Sequence, residues 1–376
     1  MAGLYVHIPF CLRKCHYCAF VTTLSGSGEK HDAFLKALEK EIIHAAAHFK
    51  LGTFDTLYIG GGTPSCLTPN ETERLFDLLR RHFKFNKDAE ITFEVNPGGA
   101  DKEKAGVYKA LGINRISLGA QTFNNATLTS LNRGHSAEDT SKSFGILRDA
   151  GFSNISLDLI LSLPLETLKD VEYSIKSALG LGAEHFSIYD LTIEEKTVFG
   201  RKFKDNRLTL PSEDEQIAML SFTRDTLEKN GYRHYELLNY ARPGFESRHN
   251  LNYWANGEYL GLGPGAFSYL EGRRFRNSSS YEEYITKTDQ GDWTAFEEET
   301  LTDEKRQIES LLLALRLSEG AELERFKPLL AKLATSVTGL EEKGLLVEDS
   351  QHLRLTLRGQ FLAESVFVEL SSAPIV

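Results

Sequence analysis

Cysteine is scarce in this chain, with four in 376 residues. That excludes a disulfide-stapled scaffold, which needs several bridges in a short secreted chain. No apolar run approaches the roughly 18 residues that a membrane-crossing helix requires. The opening, MAGLYVHIPF, lacks the basic start, apolar stretch and small-residue cleavage site of a signal peptide. The chain is therefore expected in the cytoplasm, where thiols stay reduced and clustered cysteines mean metal or redox chemistry. Basic residues are outnumbered, 43 against 53 acidic, and the net charge of −10 argues against a general nucleic-acid-binding surface. Low-complexity segments are absent, as is any internal repeat beyond an alternation of strand and helix.

That alternation runs from residue 3 to about residue 194. The strands are expected in LYVHIPF (4–10), TLYIGGG (56–62), EITFEVNP (90–97), RISLGAQTF (115–123), NISLDLILSLP (154–164) and HFSIYDLTI (185–193). All are apolar, as strands buried between helix layers should be. Helices are expected over 31–50, 70–83, 101–111, 136–150 and 168–181, with capping signals at Pro69-Asn70 and Ser136 and stops at Gly112, Gly151 and Gly182. Such repetition makes an α/β fold, a parallel sheet with right-handed crossovers. A barrel, open or closed, places function on the loops leaving the C-terminal strand ends. This core takes residues 1–210, closing with a polar connection at 195–211.

The segment 211–300 extends it, with a helix at 213–230, a strand near 233–240 and an irregular Gly/Tyr/Phe-rich stretch to about 280. From 301 to 376 the character changes. Helices at 303–317, 321–332 and 335–343, a hairpin in LLVEDSQHLRLTLRG and a last helix at 359–370 make a small winged-helix-like module. Its third helix, ATSVTGLEEKG, carries one lysine against two glutamates, which speaks against DNA binding.

The first crossover is unusual. About twenty residues part the first strand from its helix, and CLRKCHYC (11–18) lies among them. Loops this long in compact domains are functional or disordered, and one bearing three cysteines is functional. A zinc ion completed by His7 or His16 is one occupant, although zinc cysteines usually come as pairs parted by a long loop. An iron–sulfur cube suits three compactly spaced thiols, taking each on a separate iron. The fourth cysteine, Cys66, reads as a lone buried thiol. One iron is then left for an exogenous ligand.

Where the second strand ends, YIGGGTPS (58–65) lets backbone approach a ligand closely. Polar residues then interrupt apolar strands: Glu94, Gln121 and Asp158, with Arg133 just past a strand end. Buried carboxylates are costly without partners. A Glu94–Arg133 salt bridge tying strands together would satisfy one pair. Four such residues at successive strand ends favour a pocket for a zwitterionic, ribose-bearing ligand.

The C-x3-C-x2-C spacing after a first strand resembles the radical S-adenosylmethionine (SAM) superfamily. That resemblance implies a partial TIM-type (β/α)6 barrel with additional strands, and a [4Fe–4S] cluster on Cys11, Cys15 and Cys18 whose open iron binds SAM. It gives Tyr17 to the adenine side, Gly61, Gly62 and Thr63 to the SAM amino group, and Arg133 to its carboxylate. Tyr5, Glu94, Gln121 and Asp158 join the same ligand. HIPFC, CHYCAF, IGGGTPS, FEVNP, RISLGAQTF, LNRGH, LDLILSLP and IYDLTIE together resemble the HemN/HemW group over almost the whole chain. The group contains an oxygen-independent coproporphyrinogen III oxidase and a haem chaperone.

Two features separate those members. The oxidase pattern has a further cysteine two residues past the third, where this chain has Phe20, and a sizeable N-terminal extension, where this chain has ten residues before Cys11. The positive feature is RHNLNYW (248–254), which resembles the chaperone's haem-binding H-N-x-x-Y-W pattern through His249, Asn250, Tyr253 and Trp254. Imidazole is a natural axial ligand to iron, and aromatics stack on a porphyrin face. YLGLGPGAFSY (259–269) resembles the relatives' Gly-rich segment but has Phe267 where they commonly show histidine. Arg273, Arg274 and Arg276 could meet haem propionates, a solvated loop being the plainer reading. The balance favours a chaperone over an enzyme. The partners implied are haem, SAM and a haem-accepting protein such as a respiratory enzyme. Nucleic acid is not among them, and membrane association and a homodimer are both compatible with the resemblance.

Overall fold

A computed structural model of the chain describes residues 1–26, 28–49, 52–293, 295 and 297–372. Six strands alternate with helices as the apolar runs demand: β1 (Ala2–Ile8), β2 (Thr53–Gly61), β3 (Lys84–Val95), β4 (Arg115–Gln121), β5 (Ile155–Leu161) and β6 (His185–Asp190). Between them lie α1 (Gly28–His48), α2 (Pro69–His82), α3 (Lys102–Ala110), α4 (Ala137–Asp149) and α5 (Leu168–Leu181), and α6 (Glu213–Lys229) follows. Helix starts are fixed by reciprocal caps, Thr68 with Glu71, Ser136 with Asp139 and Thr167 with Asp170. Gly182 ends α5 in the left-handed conformation. The expected end of α1 at residue 50 lies outside the described residues.

Each strand is two-sided. Leu4, Val6, Leu57, Ile59, Phe93, Ile116, Leu118, Leu157 and Ile188 pack with Phe34, Leu38, Leu75, Leu147 and Ile175 of the helices in one core. Each such fully buried side chain contributes about 1.5–3 kcal/mol. The alternate positions carry Tyr5, Tyr58, Glu94, Ser117, Asp158 and Tyr189, so period-two geometry gathers the polar groups on the other face.

Further strands enlarge the sheet: β7 (Arg233–Glu236), β8 (Asn239–Ala241), then, after helix α7 (Arg248–Trp254), β9 (Glu258–Leu262), β10 (Phe267–Leu270), β11 (Arg273–Arg276) and β12 (Glu297–Thr300). The order is β12-β11-β10-β9-β1-β2-β3-β4-β5-β6-β8-β7. The stretch read as irregular thus supplies three strands, β9 to β11, and β9 pairs parallel with β1. Glycine hid it: a Cβ at Gly261 would strike the Phe267 carbonyl across the neighbouring strand. The single strand expected near 233–240 is a tight hairpin, β7 and β8. The stretch 195–211 includes a helix at Val198–Lys204.

Residues 303–372 form a second core around Leu311, Leu315, Phe326, Leu340, Leu353 and Val366. The three expected helices, at Asp303–Ala314, Leu323–Lys332 and Ala334–Glu342, accompany a three-stranded sheet there, with Ala321–Glu322 pairing beside the expected hairpin. The last helix divides into Leu357–Phe361 and Ala363–Ser372. Among the described residues no helix is long and apolar enough to cross a membrane.

Candidate functional site

The loop between β1 and α1 holds Cys11, Cys15 and Cys18, each a half-buried free thiol. Hydrogen bonds within the protein hold its path. Thr23 N donates to Pro9 O at 2.7 Å and Ser25 N to Cys11 O at 2.8 Å, closing the loop on itself. From the β4 side, His16 N donates to Leu131 O at 3.1 Å and Asn132 Nδ2 to Lys14 O at 2.9 Å. The ring of His7 is used up, Nδ1 at 3.0 Å from Tyr5 OH and Nε2 at 2.7 Å from Val21 O. His16 turns Nδ1 to Ser130 O.

Among the described residues no three His, Cys, Asp or Glu side chains converge on one point, as a single zinc ion would require. A cluster that takes each thiolate on its own iron needs only three thiols facing one space. Cys11, Cys15 and Cys18 do face one space, a cleft of about 450 Å³. Hydrogen-bond donors stand at two of the sulfurs: Thr63 Oγ1 is 3.6 Å from Cys11 Sγ and Arg133 NH1 is 3.6 Å from Cys15 Sγ. Burial pushes the Cys11 thiol up to about 11, against the pull of the Thr63 hydroxyl. The residues fit a three-thiolate cluster. Cys66 is half-buried, in the turn Pro64–Cys66, and does not line the cleft.

The glycines at the end of β2 serve the protein before any ligand. Gly61 has φ of 109°, and a Cβ there would sit 2.5 Å from the His7 ring; at Gly62 it would sit 2.7 Å from Phe10 O. They let β2 pass under the root of the cysteine loop, and Gly62 N donates to Ile8 O at 2.8 Å.

Gly61, Gly62, Thr63, Glu94, Gln121, Arg133 and Asp158 all line the cleft, as do Tyr17 and Phe20. Tyr5 does not; its ring packs against Tyr58 at 6.1 Å. Gln121 takes a positive φ of 68° at the end of β4. Glu94 makes no salt bridge with Arg133. It accepts from Tyr58 OH at 2.8 Å and Gly61 N at 3.1 Å. Burial lifts its carboxyl to about 7, the Tyr58 hydroxyl pulling it down and the Asp158 charge adding to the rise. Asp158 accepts from Ser117 Oγ at 2.7 Å and Ser156 Oγ at 3.2 Å, and burial raises it too. Two carboxyls held above their usual range, facing one cleft, favour a cationic ligand. Arg133 spends its guanidinium on Cys15, on Asn96 and on Gly119 O at 2.8 Å.

His249 lies elsewhere. It is 1 % exposed, near the start of the strands, with Nδ1 2.8 Å from Thr56 Oγ1 and Nε2 2.9 Å from Tyr253 OH. Backbone N–H groups of Arg248 and His249 donate to the Glu90 carboxylate at 3.1 and 3.0 Å, and Asn250 N donates to the capping Ser247 at 3.4 Å. Burial drives the imidazole down to about 3. The sequence predicts an imidazole offered to iron; in this conformation neither ring nitrogen is open, because α7 plugs the sheet from below. Tyr253 meets the Tyr259 ring at 4.6 Å, and the Arg316 guanidinium covers the Trp254 ring at 4.2 Å. Nor are the arginines of β11 free for propionates. Arg273 pairs with Glu298, Arg274 with Glu309 at 2.6 Å and Arg276 with Glu297 at 2.6 Å.

Residues 5–178 match the Radical SAM superfamily and residues 301–362 the HemN C-terminal domain. The chain is 37 % identical to the Heme chaperone HemW of Bacillus subtilis (strain 168), covering 98 % of each. The chain belongs to the HemW family. Its likeness to the Heme chaperone HemW of Lactococcus lactis subsp. lactis (strain IL1403) is 38 % identity, over 96 % of this chain and 95 % of that one. Among solved structures, the coproporphyrinogen III oxidase HemN from Escherichia coli, a radical SAM enzyme, superposes with a TM-score of 0.88 at 26 % identity. It covers 99 % of this chain and 90 % of its own. HemW-family membership brings the radical SAM cofactors, a [4Fe–4S] cluster and SAM, to this fold.

Sequence reasoning missed Asn96, Tyr58, Thr56 and Glu90, which orient the residues it did name. Only Asn96 carried a signal, an amide directly before Pro97, where the chain is held extended at a strand end.

Proposed function

We propose that the chain is a haem chaperone, binding haem and a SAM-ligated [4Fe–4S] cluster and passing haem to an acceptor protein. One observation carries the reading: near full-length likeness to proteins named Heme chaperone HemW, with the His249, Asn250, Tyr253 and Trp254 pattern intact. In this reading Cys11, Cys15 and Cys18 hold the cluster. Gly61, Gly62, Thr63, Glu94, Gln121, Arg133 and Asp158 receive SAM, and Tyr5 supports them through Tyr58 and His7. When bound, the cluster supplies single electrons and SAM a sulfonium that such electrons can cleave. The chain's own residues do the rest: Glu94 and Asp158 give up or keep protons as a cation enters, and Tyr17 and Ile160 keep water from one wall of the cleft.

For haem, His249 must exchange two internal hydrogen bonds for one iron bond, so the buried state competes with haem. The reading divides the chain into a 1–210 core, a 211–300 extension bearing the haem motif and a 301–376 module. It includes a haem-accepting partner such as a respiratory enzyme, working at a membrane and as a homodimer.

Phe20, 68 % exposed at the cleft mouth, stands where the oxidase pattern has cysteine. Two anaerobic assays test the choice. Haem moving from the loaded protein to an apo-haem protein supports a chaperone. Protoporphyrinogen formed from coproporphyrinogen III with SAM and reductant would replace it with the oxidase.

A further inference from the structure

Three polar side chains form one line between two of the cysteines. Asn96 stands just past the end of β3. Its Nδ2 donates to Thr63 Oγ1 at 3.0 Å, and its Oδ1 accepts from Arg133 NH2 at 2.8 Å. A hydroxyl has a single hydrogen. With its oxygen accepting from Asn96, Thr63 turns that hydrogen to Cys11 Sγ, 3.6 Å away. Arg133 divides NH2 between Asn96 Oδ1 and Gly119 O, which leaves NH1 aimed at Cys15 Sγ, also 3.6 Å away. Asn96 is itself held. Its N–H donates to Ser65 Oγ at 3.1 Å, its carbonyl accepts from Gly99 N at 2.8 Å, and Pro97 restricts it to extended backbone.

We propose that Asn96 is a positioning residue for the iron–sulfur cluster, setting the sulfur hydrogen bonds of Cys11 and Cys15 through Thr63 and Arg133. It rests on the cluster reading above. Hydrogen bonds to cluster sulfurs stabilise the more negative, reduced form and so raise the reduction potential. One amide controls two of the three ligating thiolates because it offers both a donor and an acceptor on opposite sides. No hydrophobic or charged residue has that pair of functions.

The test is anaerobic redox titration of the reconstituted full chain, followed by electron paramagnetic resonance of the reduced cluster. Iron and sulfide content are measured beside it. Asn96→Ala and Thr63→Val each lower the midpoint potential, and Asn96→Ala lowers it more, since it loosens both arms. The double variant falls no further than Asn96→Ala, because Thr63 acts through the same hydrogen bond. Thr63→Ser, which keeps the hydroxyl, restores the wild-type potential. Equal potentials at full iron content would overturn the proposal, as would strictly additive shifts. Loss of the cluster in Asn96→Ala with retention in Thr63→Ser supports positioning, whereas equal loss in both points to fold damage and counts against it. No cluster in the wild type would instead remove the site reading itself, and this inference with it.

Discussion

Thr56→Val tests whether haem competes with the buried partners of His249 at the start of the strands. Thr56 is completely buried on β2, belongs to no haem motif, and bonds His249 Nδ1 at 2.8 Å. Valine matches its shape but leaves a buried imidazole nitrogen without a partner, which costs about 1–3 kcal/mol. That cost falls on the state with His249 inside and not on a state in which α7 has turned out to meet iron. Affinity for a ligand of the minor state rises with that state's population. At tenfold per 1.4 kcal/mol, haem should bind about 5- to 140-fold more tightly to the variant. The assay is haem titration followed by Soret absorbance, with a thermal melt of the haem-free protein. The expected pair is a lower melting temperature with tighter haem. A lower melting temperature with unchanged or weaker haem would refute the competition.

Further outcomes follow from the cleft. Cys18→Ala should abolish the charge-transfer absorbance of the reconstituted cluster; an iron-loaded variant with an unchanged spectrum would contradict the cluster assignment. Glu94, raised to about 7 by burial, keeps its proton in the folded state to higher pH than in the unfolded chain. Ligand-free stability should therefore fall as pH climbs from about 4.3 through the folded value of about 7, and Glu94→Gln should flatten that slope. A cationic SAM ammonium favours the ionised carboxylate, so SAM affinity, measured by equilibrium dialysis, should rise across the same window in wild type only. A flat wild-type profile would place the ammonium elsewhere.

Much of the fold was legible because β1 to β6 are buried between layers and their helices carry strong caps. Strand and helix ends such as Arg115, Leu168 and Leu181 fall where periodicity and capping residues put them. What hid was β9, whose Gly261 and neighbouring Gly263 read as loop although close strand contact demands them. The cleft was legible as residue types at strand ends, since alternation fixes their common face. Their partners were not. The threonine that satisfies His249 lies 193 positions away, and no local pattern announces that pairing. Composition also left Arg273, Arg274 and Arg276 looking available, whereas Glu297, Glu298 and Glu309 engage them in the folded chain.

The central claim, that this chain carries haem, is tested most directly by anaerobic haem titration of the reconstituted protein beside His249→Ala, read at the Soret band. The account predicts saturable, stoichiometric binding in the wild type, weakened in the variant with a changed Soret position. Absence of specific binding in both proteins would contradict it and return the oxidase to first place.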